Sequence, residues 1–117
     1  MSDSPVTAVM FFVDEPEAVA LWWAANLGDG ADVIAEGDFY YFEAGAIEFG
    51  FHPNEDGRNP AGASPVLYLS VPDLEQKRLA LLERGCVMHR GPLRVNADRQ
   101  ICQMIDPFDN TFGLDGP

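Results

Sequence analysis

The chain repeats one plan, and that repeat constrains its fold more than any other feature. Residues 11–28, FFVDEPEAVALWWAANLG, and residues 69–85, LSVPDLEQKRLALLERG, are built alike. Each runs from a β-rich stretch ending in Val, through an Asp, to a helical segment closed by Gly. Asp14 with Glu17, and Asp73 with Gln76, have capping-box spacing, which satisfies orphan amides of a first helical turn. Gly28 and Gly85 stand where a helix end favours a left-handed residue. Three strand-like runs follow each helix: 31–36, 39–45 and 46–53 in the first half, 86–91, 99–106 and 110–116 in the second. The order βαβββ therefore occurs twice, with a period of about 57 residues. It predicts a single α+β domain over 1–117, with module 1 at about 5–52, a linker at 53–65 and module 2 at about 66–116. The linker, PNEDGRNPAGASP, is rich in Pro, Gly and Asn and reads as a connecting or mobile loop.

Charge narrows the partners. Nineteen acidic and seven basic side chains give a net charge of −12. Residues 1–60 hold 12 acids and one base, Arg58, whereas residues 61–117 hold 7 acids and 6 bases. Such a surface repels nucleic acid and anionic membranes and attracts cations. The six later bases (Lys77, Arg78, Arg84, Arg90, Arg94, Arg99) are nearly cancelled within their own half. The longest apolar run, 18–25, falls well short of the ~20 residues that span a bilayer, and the N-terminus lacks the basic flank of a signal peptide. A cytoplasmic location is the expectation. Cys86 and Cys102 form no CxxC or ligand cluster, so both are expected to be buried and inert.

Strand alternation separates two faces. Val9, Phe11, Val13, Ile47, Phe49, Phe51, Leu67, Leu69 and Val71 should pack under the helices. The opposite face carries Ala8, Met10, Phe12, Glu48, Gly50, His52, Val66, Tyr68, Ser70, Thr111 and Gly113. A two-residue turn at Ala44 and Gly45 would set Tyr41 across from Glu48 and Phe39 across from Gly50. The expected ligand-binding set is therefore Met10, Phe12, Phe39, Tyr41, Glu48, Gly50, His52, Tyr68 and Thr111. Aromatic walls around one carboxylate suit a flat, cationic ligand, with Asp38 adding charge. Helix 18–27 is apolar almost all round; one of Trp22 and Trp23 should enter the core and the other meet a second subunit or a ligand. Glu48 and His52 invite a metal, but residues i and i+4 of a strand stand about 13 Å apart, too far to share an ion.

The doubled plan resembles the vicinal oxygen chelate superfamily of glyoxalases, extradiol dioxygenases and bleomycin-resistance proteins. The resemblance rests on VMFFVDEPEAVALWWAANLG, VLYLSVPDLEQ and DPFDNTFGL, and covers nearly the whole chain. It implies paired modules forming a curved mixed sheet with a cup-like cavity. It places the four metal-ligand positions at Ala8, Glu48, Val66 and Gly113, of which only Glu48 can bind a cation. No metal or other cofactor is expected. Within the superfamily the chain is closest in character to the metal-free bleomycin-resistance-like members, acidic dimers that sequester a cationic antibiotic. The expectation is a metal-free, homodimeric binder of a small cationic or aromatic molecule, with no catalytic residue. The competing readings are an enzyme of lyase or isomerase type using Glu48 as general base or as part of an unrecognised metal site, and an interaction module docking through Trp22 or Trp23.

Overall fold

A computed structural model describes residues 6–60, 62–63 and 65–117. The chain is α+β, and the doubled βαβββ order is present: β1 (Val6–Val13), α1 (Pro16–Asn26), β2 (Ile34–Glu36), β3 (Phe39–Ala44) and β4 (Ile47–Pro53), then β5 (Val66–Ser70), α2 (Leu74–Glu83), β6 (Val87–Asn96), β7 (Arg99–Ile105) and β8 (Thr111–Gly116). Two compact units result among the described residues, one within 8–66 and one of 6–7 with 67–117. In the first, the strand order is β2-β3-β4-β1; in the second it is β5-β8-β7-β6. Both are mixed, because the first and last strands of each module pair in parallel and the remaining pairs are antiparallel.

The first unit's core is aromatic. Ala20 and Ala24 of α1 lie on buried Phe42 and Phe51, with Phe11, Phe49 and Trp23 packed around them. Small residues on the helix let it approach the rings closely. Trp23 is thus the core tryptophan, its ring 4.8 Å from Phe11, while Trp22 is 57% exposed. The expected cap at Asp14 is not made. Pro16 occupies the first helical position, which suits its fixed φ, and so shifts the N-cap to Glu15. Asp14 instead accepts a hydrogen bond from Asn54 Nδ2. Gly28 is not left-handed either; Asp29 (φ 56°) and Gly30 (φ 73°) take that conformation. What excludes a side chain at Gly28 is space, since a Cβ there would lie 2.6 Å from Phe42 Cε1.

The second helix follows its sequence signals. Asp73 accepts from the Gln76 amide at 3.0 Å, and Gly85 (φ 102°) ends the helix with paired amide bonds from Gly85 to Leu82 and from Cys86 to Leu81. Its core joins Leu74 to Val71, Cys86, Cys102, Met104 and Leu114. Both cysteines are buried, and burial pushes the Cys102 thiol up, away from the reactive thiolate. Leu67 does not join this core; it is 45% exposed.

Two connecting stretches carry internal hydrogen bonds among their described residues. Within 53–65, Glu55 and Asn59 form a bridge with both backbone bonds, and Asn59 Nδ2 donates to Glu55 Oε1 at 2.7 Å. In the β7–β8 turn, Asp106 accepts from the amides of Phe108 and Asn110, and Asp109 sits left-handed at φ 72°. Bonds from the Asn110 backbone and side chain, then the Phe108 amide, hold the Asp106 carboxyl below its ordinary range. A carboxyl lowered in the folded state stabilises above its unfolded pKa, about 4, and loses that contribution as pH falls through the folded value. Asp106→Asn should therefore flatten the acid limb of stability below about pH 4, read by chemical denaturation across pH. An unchanged acid limb would show that the turn does not sense the proton.

Candidate functional site

The face of the first unit that points away from α1 is set by the parallel register of β1 and β4. Ala8 pairs with Glu48, Met10 with Gly50 and Phe12 with His52. Strand β3 adds Phe39 and Tyr41. The turn before β4 falls at Gly45 and Ala46, one residue later than the sequence suggests, so β3 slides by two residues. Tyr41 consequently lies across from Gly50, and Glu43 across from Glu48. Because the slip is even, every side chain keeps its expected face.

Seven of the nine expected ligand-binding residues share this face: Met10, Phe12, Phe39, Tyr41, Glu48, Gly50 and His52. The Phe39 and Tyr41 rings stack at 5.4 Å, and the His52 ring lies 5.4 Å from Phe12 and 6.3 Å from Phe39. Gly50 exists to admit these neighbours, since a Cβ there would meet Phe39 Cε1 at 2.6 Å and Met10 Sδ at 3.2 Å. His52 Nδ1 is 2.8 Å from the Pro53 carbonyl, an acceptor, so this nitrogen carries the proton and donates.

The acidic edge is broader than the sequence reading foresaw. Burial, then the carboxylates of Glu36, Glu48 and Glu43, push the Tyr41 phenol above its ordinary value. Glu36 and Glu43 thus join Glu48 around one phenol. Alternation could have found Glu43, two residues from Tyr41 on the same strand; Glu36 depends on the β2–β3 pairing, which puts it across from Phe39. Asp38 does not contribute here. It lines a separate cleft of roughly 310 Å³ with Asp14, Glu15, Glu17 and Tyr40.

Tyr68 and Thr111 belong to the second unit. Tyr68 pairs with Gly113. Tyr68 is buried, and its hydroxyl accepts from Gln103 Nε2 at 2.9 Å. A Cβ on Gly113 would lie only 2.4 to 2.7 Å from three atoms of the Tyr68 ring. The tyrosine therefore fills the space that a longer side chain at 113 would need. Thr111 is half-buried and pairs with Ile105. Gln103, absent from the expected set, is fully buried on this face.

These residues do not fit the superfamily's metal. Ala8 and Val66 offer no donor, Gly113 offers none and is overlaid by a ring, and Glu48 is the sole carboxylate among the four. Among the described residues no group of three or more His, Cys, Asp and Glu side chains is placed to hold an ion.

No family model matches the chain, and no curated protein matches it. Solved structures do. Hypothetical protein BH1468 from Bacillus halodurans C-125 matches at a TM-score of 0.72 and 13% identity, over 97% of this chain and 94% of that one. A Streptomyces coelicolor methylmalonyl-CoA epimerase in complex with 2-nitronate-propionyl-CoA matches at 0.68 and 14%, over 97% of both chains. An NAD-dependent benzaldehyde dehydrogenase from Legionella pneumophila matches at 0.65 and 15%, over 92% of this chain and 96% of that one. The chain thus shares its fold with these proteins. At these identities the likeness concerns fold alone, and one fold hosts many activities. Among the described residues no helix is long and apolar enough to cross a membrane.

Proposed function

We propose that the protein is a small-molecule binding protein that takes a flat, cationic aromatic ligand on the open face of its first unit. One observation carries this reading: the stacked Phe39–Tyr41 pair stands among the carboxylates of Glu36, Glu43 and Glu48. Aromatic faces attract cations through their quadrupole, and nearby carboxylates add a longer-ranged attraction. Like charges also lie directly across from one another at Glu43 and Glu48, an arrangement that a bound cation would relieve. An antibiotic of the bleomycin type, a homodimeric state and a cytoplasmic location belong to this reading as its finer expectations.

The second reading is an isomerase or lyase in which Glu48 removes a proton from an acidic C–H. It is favoured by the half-buried position of Glu48 beside Tyr41 and by the fold shared with the epimerase.

Titration with bleomycin and with ethidium, followed by intrinsic fluorescence, tests the proposal. Binding should weaken as salt rises from 50 to 500 mM, because the Debye length shrinks to a few ångströms. Glu48→Gln should cost about tenfold in affinity, and cation binding should bring the Tyr41 phenol back down, read by absorbance at alkaline pH. Salt-independent affinity, or affinity untouched by Glu48→Gln, would remove the basis of the reading. Turnover of methylmalonyl-CoA that vanishes in Glu48→Gln would favour the enzyme instead.

A further inference from the structure

The outward side of α1 is apolar and takes no part in the ligand face. Ala20 and Ala24 turn toward the sheet, so the opposite side of the helix carries Ala18, Leu21, Trp22 and Ala25, all of them exposed. Leu21 is 52% exposed and Trp22 57%. No charged residue occurs from 18 to 28, in a half of the chain that holds 12 acids and one base. A helix that is apolar all round is normally covered on every side. With 11 residues α1 is far shorter than the ~20 that cross a bilayer, so lipid does not provide that cover.

Charge and symmetry select the occupant. A basic partner would be drawn to the acids of this half, and the stripe has none. A second copy carries the same net charge of −12, and this stripe is a place where two copies can touch without bringing carboxylates together. Its side chains are also arranged symmetrically. Leu21 and Trp22, Ala18 and Ala25, and Glu17 and Asn26 are each equidistant from the midpoint between 21 and 22. Two antiparallel α1 helices related by a two-fold axis there would set Leu21 against the partner's Trp22 and Ala18 against the partner's Ala25. The alanines let the backbones approach, and the larger pair fills the space between them. Glu17 would meet the partner's Asn26, whose Nδ2 donates to the Trp22 carbonyl at 2.8 Å and carries a second hydrogen. Parallel helices would instead set Glu17 against the partner's Glu17.

We infer that the outer stripe of α1 is a homodimer contact, in which two copies meet through antiparallel α1 helices about a two-fold axis between Leu21 and Trp22. An isologous contact of this kind closes at two copies. The contact supplies the homodimeric state of the proposed function and in that respect rests on that reading, yet it needs no ligand. Two crossed helices of 11 residues cover less than the roughly 1,000 Å² that a stable interface clears, so the dimer should be reversible, with a Kd on the order of 10 μM. Asp14, Glu15 and Asp29 flank the ends of the stripe, so salt should strengthen association, the reverse of its effect on a cationic ligand.

Sedimentation velocity of the intact chain from about 2 to 200 μM, at about 50 and 500 mM salt, tests this. A reversible monomer–dimer equilibrium is expected, at least threefold tighter at the higher salt. Leu21→Lys and Trp22→Glu, both at exposed positions, should each weaken it at least tenfold. Mixed one to one, the two variants should recover a heterodimer, because the introduced lysine at 21 faces the introduced glutamate at 22 while the other Leu21–Trp22 contact is kept. A wild-type chain that stays monomeric throughout would leave the stripe to a different protein and overturn the assignment. A dimer that persists in both variants, or a mixture that does not associate, would overturn it as well. Ethidium titrated in parallel, followed by its own fluorescence, separates the two proposals. A dimer that does not bind ethidium would sink the ligand reading alone, and a monomer that binds it would sink the dimer alone.

Discussion

Gly113→Ala should lower the stability of the protein by about 3 kcal/mol, the upper part of the range for overpacking a filled interior. The added methyl would sit 2.4 Å from Tyr68 Cδ2, with Cε2 and Cγ at 2.5 and 2.7 Å. Those are ring atoms near the base of a side chain that is 4% exposed, so a small rotation cannot clear them. The ring is further held by the bond from Gln103. Displacing it would break that buried bond as well as open a void. Combining Gly113→Ala with Tyr68→Ala should cost less than the two changes summed, because each removes the other's reason for strain. Urea denaturation of the single and double variants measures this directly. Additive losses, or a Gly113→Ala cost under about 1 kcal/mol, would mean that the tyrosine does not close this position.

The second large effect concerns an ion pair. Asp115 on β8 receives both Arg99 Nε, at 2.7 Å, and Arg99 Nη2, at 2.8 Å, and accepts from Thr7 Oγ1 at 3.2 Å. The two partners differ in exposure: the Asp115 side chain is 10% exposed and that of Arg99 is 39%. Removing one partner of a buried pair costs mainly what it takes to leave the other charge desolvated. Arg99→Ala strands the buried carboxylate and should cost about 3 kcal/mol, whereas Asp115→Ala leaves an arginine that can turn to water and should cost about 2 kcal/mol. The order of the two losses in urea denaturation is the decisive reading. Equal or reversed losses would show that Thr7 and the surrounding backbone, rather than the arginine, carry the aspartate.

Several particulars of the fold were legible because they are local. A helix start at Asp73, a left-handed stop at Gly85 and a turn across Pro107 to Asp109 each depend on a few neighbouring residues, and each formed as its spacing implied. Alternation also sorted the faces of β1 and β4 correctly, since a strand's period of two survives any even slip of register. The failures share a different cause. The cap moved from Asp14 to Glu15 because Pro16 set the first helical position, a competition between two valid local signals. The pairing of β3 with β4 depended on which two residues made the turn, and one residue's difference there displaced Tyr41 from Glu48 to Gly50.

The sequence by itself determined the doubled βαβββ order, the buried cysteines and the aromatic, acidic character of the first unit's open face. It could do so because hydrophobic period, capping chemistry and charge are written in adjacent residues. Only the tertiary structure decided that Trp23 and not Trp22 enters the core, that Glu36 and Glu43 join Glu48 around Tyr41, that Tyr68 overlies Gly113, and that Arg90 stands beside Gln103. Each of these rests on which strand neighbours which, in what register and with which bulges. That information is carried by contacts between residues distant in the chain, where a single extra residue changes what a side chain meets.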